Sequence, residues 1–215
     1  MLEGVLGLLA IPLALVALQQ YESSVQPLPA PLERNLARGE SWRPGCPVPL
    51  SGLRLLTVSY WDFEGRSREG QLVVNREAAP GLAKVFRRLY QLKFPIRHMQ
   101  LDDMYGPKRA RPADGDITGS FRCRRAVPSP CGSGSGNWSN HAYGLAVDVN
   151  PVENPYVGCG AVHDPRSKPY TDRSRLRKGM VTPAVVRAFR SIGWEWGGDW
   201  SGDTKDYMHF SHTGG

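Results

Sequence analysis

The stretch from residue 102 to 140 constrains this chain most. It is almost wholly Gly, Pro, Ser, Asp, Arg and other turn formers, with neither a helical nor a strand period. A loop that long inside a compact domain is uncommon and usually functional. It argues against a helical bundle, and the remaining composition agrees: 24 Gly and 18 Pro in 215 residues mean that much of the chain is turns. The length sets a prior of one domain, and no internal repeat is visible.

Ordered elements flank the loop. Leu53 to Tyr60 (LRLLTVSY) and Gln71 to Asn75 (QLVVN) are β-rich runs joined by a polar, Gly-containing loop, which predicts a hairpin. Leu82, Val85, Phe86, Leu89 and Tyr90 recur at helical spacing, so Ala79 to Leu92 reads as an amphipathic helix with Pro80 in its first turn. Pro95 to Leu101 and Leu145 to Val149 read as strands, Pro183 to Ile192 as a helix, and Tyr207 to Ser211 as a closing β segment. No β-helix-β unit repeats. The expected class is therefore α+β, a small antiparallel sheet with helices packed on one side and long loops.

At the N-terminus, Val5 to Leu18 (VLGLLAIPLALVAL) is unbroken and apolar. It is short for a bilayer span of about 20 residues but suits a signal-peptide core. Glu3 precedes it, no Lys or Arg does, and no small-x-small cleavage site follows, so a retained anchor and a buried helix stay open. Residues 21–45 are rich in Pro and polar groups without a period and read as a flexible linker. The organisation expected is a signal or anchor at 1–20, a linker at 21–45 and one folded domain at 46–215. The location expected is secreted or cell envelope, with membrane contact only through the apolar segment.

Cys46, Cys123, Cys131 and Cys159 fit an oxidising compartment. Of three pairings, closeness around a Pro-rich loop favours Cys123 with Cys131, leaving Cys46 with Cys159. A cysteine zinc site lacks any C-x-x-C spacing. The net charge of +7 suits contact with polyanions. Nucleic acid would call for a dense basic helix or a binding motif, and neither is present. The clusters Lys108-Arg109-Arg111 and Arg122-Arg124-Arg125 read as solvated surface or as an aid to reaching an anionic wall. A monomer is expected.

Two of the five histidines have an unusual setting. His141 lies in Ser139-Asn140-His141-Ala142-Tyr143-Gly144-Leu145-Ala146-Val147-Asp148, and His209 in Asp206-Tyr207-Met208-His209-Phe210. Catalytic zinc takes three His or carboxylate ligands and leaves a fourth place for water, a set that His141, Asp148 and His209 supply. Asp206 is the nearest carboxylate to take a proton, with Glu195 and Asp199 as lesser choices. One objection stands: an ideal strand would send His141 and Asp148 to opposite faces, unless Gly144 breaks the pleat or His141 belongs to the preceding loop.

The run S-N-H-A-Y-G-L-A-V-D-V-N-P, with W-G-G-D-W and D-Y-M-H-F, resembles the VanY-type D-alanyl-D-alanine carboxypeptidases, a zinc peptidase family that also includes L-alanyl-D-glutamate endopeptidases. The resemblance runs from about Cys46 to His212. It implies a fold of the hedgehog and D-Ala-D-Ala peptidase type, Zn(2+) as cofactor, His141, Asp148 and His209 as ligands, and Asp206 as general base. It also implies an arginine that steadies the scissile carbonyl, at the end of a Phe-Asn-x-Arg pattern. Here that stretch is Phe121-Arg122-Cys123-Arg124, so Arg124 matches while Arg122 stands in place of the Asn. Ser139 matches a serine near the site, and Tyr143 and Tyr207, beside ligands, are further substrate contacts. The activity implied is hydrolysis of an amide bond in the stem peptide of peptidoglycan. The rival reading is an inactive, zinc-containing wall-binding or interaction module, because the hedgehog signalling domain resembles this fold and a fold does not fix a function.

Overall fold

The computed structural model describes residues 20–38, 41–101, 112–126 and 136–214. Its centre is an antiparallel sheet of β1 (Ser23–Pro27), β2 (Leu53–Trp61) and β3 (Ser67–Asn75), in the order β1-β2-β3. Strand alternation assigns the two faces. Leu56, Val58, Leu72 and Val74 point to one side and join the main core, while Leu53, Leu55 and Val73 point to the other and join a smaller one.

The main core is closed by α2 (Ala79–Gln91) and α3 (Pro183–Arg190). Leu82, Val85, Phe86 and Leu89 form the buried stripe of α2, as their spacing predicts. In α3, Thr182 is the N-cap, its side chain accepting from Val185 N–H, and Pro183 fills the first turn, where no N–H is needed. The smaller core is closed by α1 (Ala30–Arg38), whose Leu32 and Leu36 pack with Leu28 and Val48. Residues 21–38 are therefore not a linker. They supply an edge strand paired along its length with β2, and a helix that covers the second face.

Two smaller sheets follow, one of three strands and one of two. β4 (Ala146–Asp148) and β6 (Glu195–Trp196) flank β8 (His209–Ser211), and β5 (Tyr156–Val157) pairs with β7 (Lys205–Asp206). In the β4–β8 ladder Asp148 lies opposite His209, and Val147 lies opposite Phe210. Val147 and Phe210 face the core, where Phe210 stacks on Phe189 at 3.9 Å between ring centroids. Period-two alternation then turns Asp148 and His209 away together. Small antiparallel sheets with a few helices make this the expected α+β class. Pro95 to Leu101 differs from its reading as a strand: it makes only isolated bridges, Trp61 with Pro95 and His98 with Ile117.

The disulfide pairing is also corrected. Cys46 is bonded to Cys123, with Cα atoms 5.8 Å apart across 77 residues of sequence. Cys123 N–H donates to Ser41 O and Arg43 Nη1 donates to Cys123 O, so the segment after α1 is tied to the segment around Cys123 independently of the bridge. Cys159 is disulfide-bonded as well, and Cys131 lies outside the described residues. A peptide map of non-reduced protein is expected to join Cys46 to Cys123. Because the closed loop is long, chain-entropy reasoning gives the bridge about 4 kcal/mol of stability. Cys46→Ser should therefore lower the denaturation midpoint strongly, and a map joining Cys123 elsewhere would refute the pairing.

The expected location needs correcting too. Among the described residues no helix is long and apolar enough to cross a membrane. The segment read as a signal or anchor, Val5 to Leu18, lies outside them, so no apolar anchor is shown.

Candidate active site

His141 sits in a 3-10 turn, Asn140–Tyr143, not in the strand, which answers the objection from odd spacing. Ser139 caps the turn, its Oγ accepting from His141 N–H at 3.3 Å. Gly144 ends it at φ +66°, a left-handed conformation that favours glycine. A Cβ there would meet Asn75 N at 2.6 Å, because the turn is docked on the end of β3: Asn75 N–H donates to Gly144 O, and its side-chain amide to Tyr143 O.

A contact the motif does not reveal then orients the imidazole. His141 Nδ1 lies 2.6 Å from the carbonyl oxygen of Ser120. A carbonyl only accepts, so Nδ1 carries the proton and Nε2 offers its lone pair inward. Ser120 Oγ donates to Ala146 O, and Gly119 exchanges both backbone hydrogen bonds with Asp148. Residues 119–124 are thus the backing that sets His141 and Asp148 relative to each other.

Three side-chain atoms able to bind a metal converge. His141 Nε2 is 3.3 Å from His209 Nδ1 and 3.1 Å from Asp148 Oδ2, and His209 Nδ1 is 3.1 Å from Asp148 Oδ1. Tetrahedral zinc with bonds of about 2.0–2.1 Å separates neighbouring ligand atoms by about 3.3–3.4 Å, so the spacing fits that ion. The charges fit as well. Burial disfavours both ionised forms, yet Asp148 is held far below the usual carboxylate range by His141 and His209, and His141 is raised by Asp148. The cluster calls for positive charge at its centre, which a dication supplies. His141, Asp148 and His209 are the one such group among the described residues.

Asp206 completes the site. Its Oδ1 is buried without a hydrogen-bond partner. Burial first, and then the charge of Asp148, push its carboxyl up to about 8, while Met208 N–H donates to it. A bound dication would oppose both influences and favour the ionised form. Gly197 makes room for it: a Cβ there would come within 2.5 Å of Asp206 O and 2.9 Å of Asp206 Cβ. The other two carboxylates are elsewhere. Asp199 pairs with Arg190 at 2.6 Å on the surface, and Glu195 is exposed on β6 opposite Ser211.

Two cavities meet at the cluster, and both are lined by His141, Asp148 and Arg124. The larger, about 550 Å³, adds Asp206, His209, Ser139, Trp138, Tyr156 and Trp200. Trp138 is held under the Arg125 guanidinium at 4.0 Å, and Trp200 packs on His209 while its Nε1 donates to Gly214 O. The smaller, about 230 Å³, extends past Ser120 to Leu36, Phe121 and Arg122. Tyr143 and Tyr207 line neither cavity. Tyr143 points outward, and Tyr207 lies under Arg173 and beside Trp196, on the far side of the chain from Asp206. Tyr156, Trp138 and Trp200 line the larger cavity. Of the remaining histidines, His98 bonds Asp114 and His163 and His212 are exposed.

No curated protein and no solved structure matches the chain. Residues 133–212 match a family model described as D-alanyl-D-alanine carboxypeptidase. That span holds the three clustered residues and Asp206, whereas Arg124, the Cys46–Cys123 bridge and the three-stranded sheet precede it. The match bears out the resemblance read from the motifs, and it supports a peptidase.

Proposed function

We propose that this protein is a zinc-dependent peptidase that hydrolyses an amide bond in peptidoglycan stem peptides. One observation carries the reading: three ligand atoms meet within 3.1–3.3 Å beside a buried, partnerless carboxylate oxygen, Asp206 Oδ1. A binding module has no use for such a carboxylate, whose burial costs free energy, whereas a hydrolase needs a base there.

His141, Asp148 and His209 would hold the zinc. When bound, zinc polarises the scissile carbonyl and lowers the pKa of water from 15.7 to about 7. Asp206 Oδ1 accepts the proton that the attacking water gives up and returns it to the leaving amine. Arg124, which lines both cavities, donates to the carbonyl oxygen as negative charge grows on it. Ser120 O keeps the His141 ring in the tautomer that faces inward. Trp138 and Trp200 form an apolar wall that limits water beside the reacting amide.

The test is digestion of purified wall peptides by the zinc-loaded protein, read by mass spectrometry. Release of a single terminal residue or of a longer fragment identifies the bond. A chelator should abolish release, and added zinc should restore it. Zinc-loaded protein that cuts no wall peptide would replace this reading with that of a binding module.

A further inference from the structure

The smaller cavity holds a cation, Arg122, that the hydrolytic machinery does not use. Arg122 and Arg124 both line it, together with Gln100 and a wall of Leu36, Leu101 and Phe121. Most structured arginines here that approach a carboxylate are committed to one: Arg66 and Arg68 to Asp62, Arg97 to Glu153, Arg166 to Asp164, Arg190 to Asp199. Among the described residues no carboxylate pairs with Arg122, while the charge of Arg124 acts on Asp206. One carboxylate among the described residues lines this cavity, Asp148, and it is held by His141 and His209. Among the described residues the larger cavity has the opposite balance, with Asp148 and Asp206 against Arg124.

Arg122 is also fixed to the site through its backbone, whose N–H donates to His141 O at 3.1 Å. The disulfide at Cys123, between the two arginines, holds the same segment. The Arg122 guanidinium, the Gln100 amide and an apolar wall, in a cavity that also reaches His141 and Asp148, match a carboxylate on a short peptide.

We infer that the smaller cavity is a carboxylate subsite and that Arg122 is the residue that selects substrates bearing that group. The inference rests on the peptidase reading above. The carboxylate has two sources in a stem peptide: its free C-terminus, or the free carboxyl of an internal D-Glu. Binding is a charge-assisted contact, so its loss lowers kcat/KM about 10-fold to 100-fold, borne by KM.

The experiment uses zinc-loaded protein, its Arg122→Asn variant, and three peptides: the acidic stem peptide, the same peptide with a C-terminal amide, and the same peptide with the D-Glu carboxyl amidated. For wild type, one amidation should raise KM about tenfold or more and the other should not, which identifies the source. Arg122→Asn should bind the acidic peptide as poorly as wild type binds the sensitive amide, and should no longer distinguish the two. Arg122→Lys should recover part of the preference. Calorimetry on an Asp206→Asn background reads the same preference as Kd without turnover, so a failure of cleavage leaves the subsite measurable. Wild type indifferent to both amidations, or a preference that survives in Arg122→Asn, overturns the inference.

Discussion

Alanine at His141 or at His209 is expected to strip the protein of tightly bound zinc. In the proposed site each imidazole would supply one of three ligand atoms, and two ligands rarely hold the ion. Removing a mere hydrogen-bond partner of a ligand already costs about 10–100-fold in metal affinity, so removing the ligand should exceed that. After dialysis, wild type should retain about one zinc per chain by elemental analysis, and either variant close to none. His209 lies opposite Asp148 in a three-residue ladder, and His141 in a turn anchored by Ser139, Gly144 and Asn75. Neither fold element depends on the imidazole itself, so circular dichroism should stay near wild type. Full zinc in both variants would eliminate this cluster as the metal site.

The elements legible in the sequence were those with a strong period. β2 and β3 alternate between two cores, and α2 repeats its buried residues every three or four positions, so each announces its buried face. β1 has no such signal. It is an edge strand whose residues are nearly all exposed, and α1 buries only Leu32 and Leu36 along its length. Surrounded by prolines, both read as linker, although β1 pairs residue by residue with β2. The disulfide failed for a related reason. Distance along the chain favoured Cys123 with Cys131, whereas Ser41 and Arg43 bring Cys46 to Cys123 from the other side of the fold.

The cluster itself was readable from residue type and motif, because few side chains bind zinc and each stands in a distinctive run. What stayed hidden were parts that act through backbone or through empty space. Ser120 orients His141 with its carbonyl oxygen, a group every residue possesses, and Gly197 acts by lacking a Cβ next to Asp206. The choice of base among Asp206, Glu195 and Asp199 also needed three dimensions. All three lie within a dozen residues of one another, yet Asp206 alone of them lines a cavity with the cluster, and Asp199 is engaged by Arg190.

That separation makes Asp206→Asn the sharpest test of enzyme against binding module. The amide has nearly the shape of the carboxylate and carries no charge to desolvate, so the buried pocket under Gly197 should accept it without loss of stability. Zinc content should stay near wild type, because His141, Asp148 and His209 all persist. An amide cannot take a proton, so the share of the rate due to general-base assistance, about 10²–10⁴-fold, should vanish from kcat while KM changes little. Cleavage of a stem peptide, followed by mass spectrometry at equal metal loading, gives the comparison. A variant that loses its zinc would make Asp206 a ligand and exchange its role with that of Asp148. A variant that cuts as fast as wild type would place the base elsewhere, and neither exposed Glu195 nor paired Asp199 is positioned to replace it without movement of β6 or of the turn that follows.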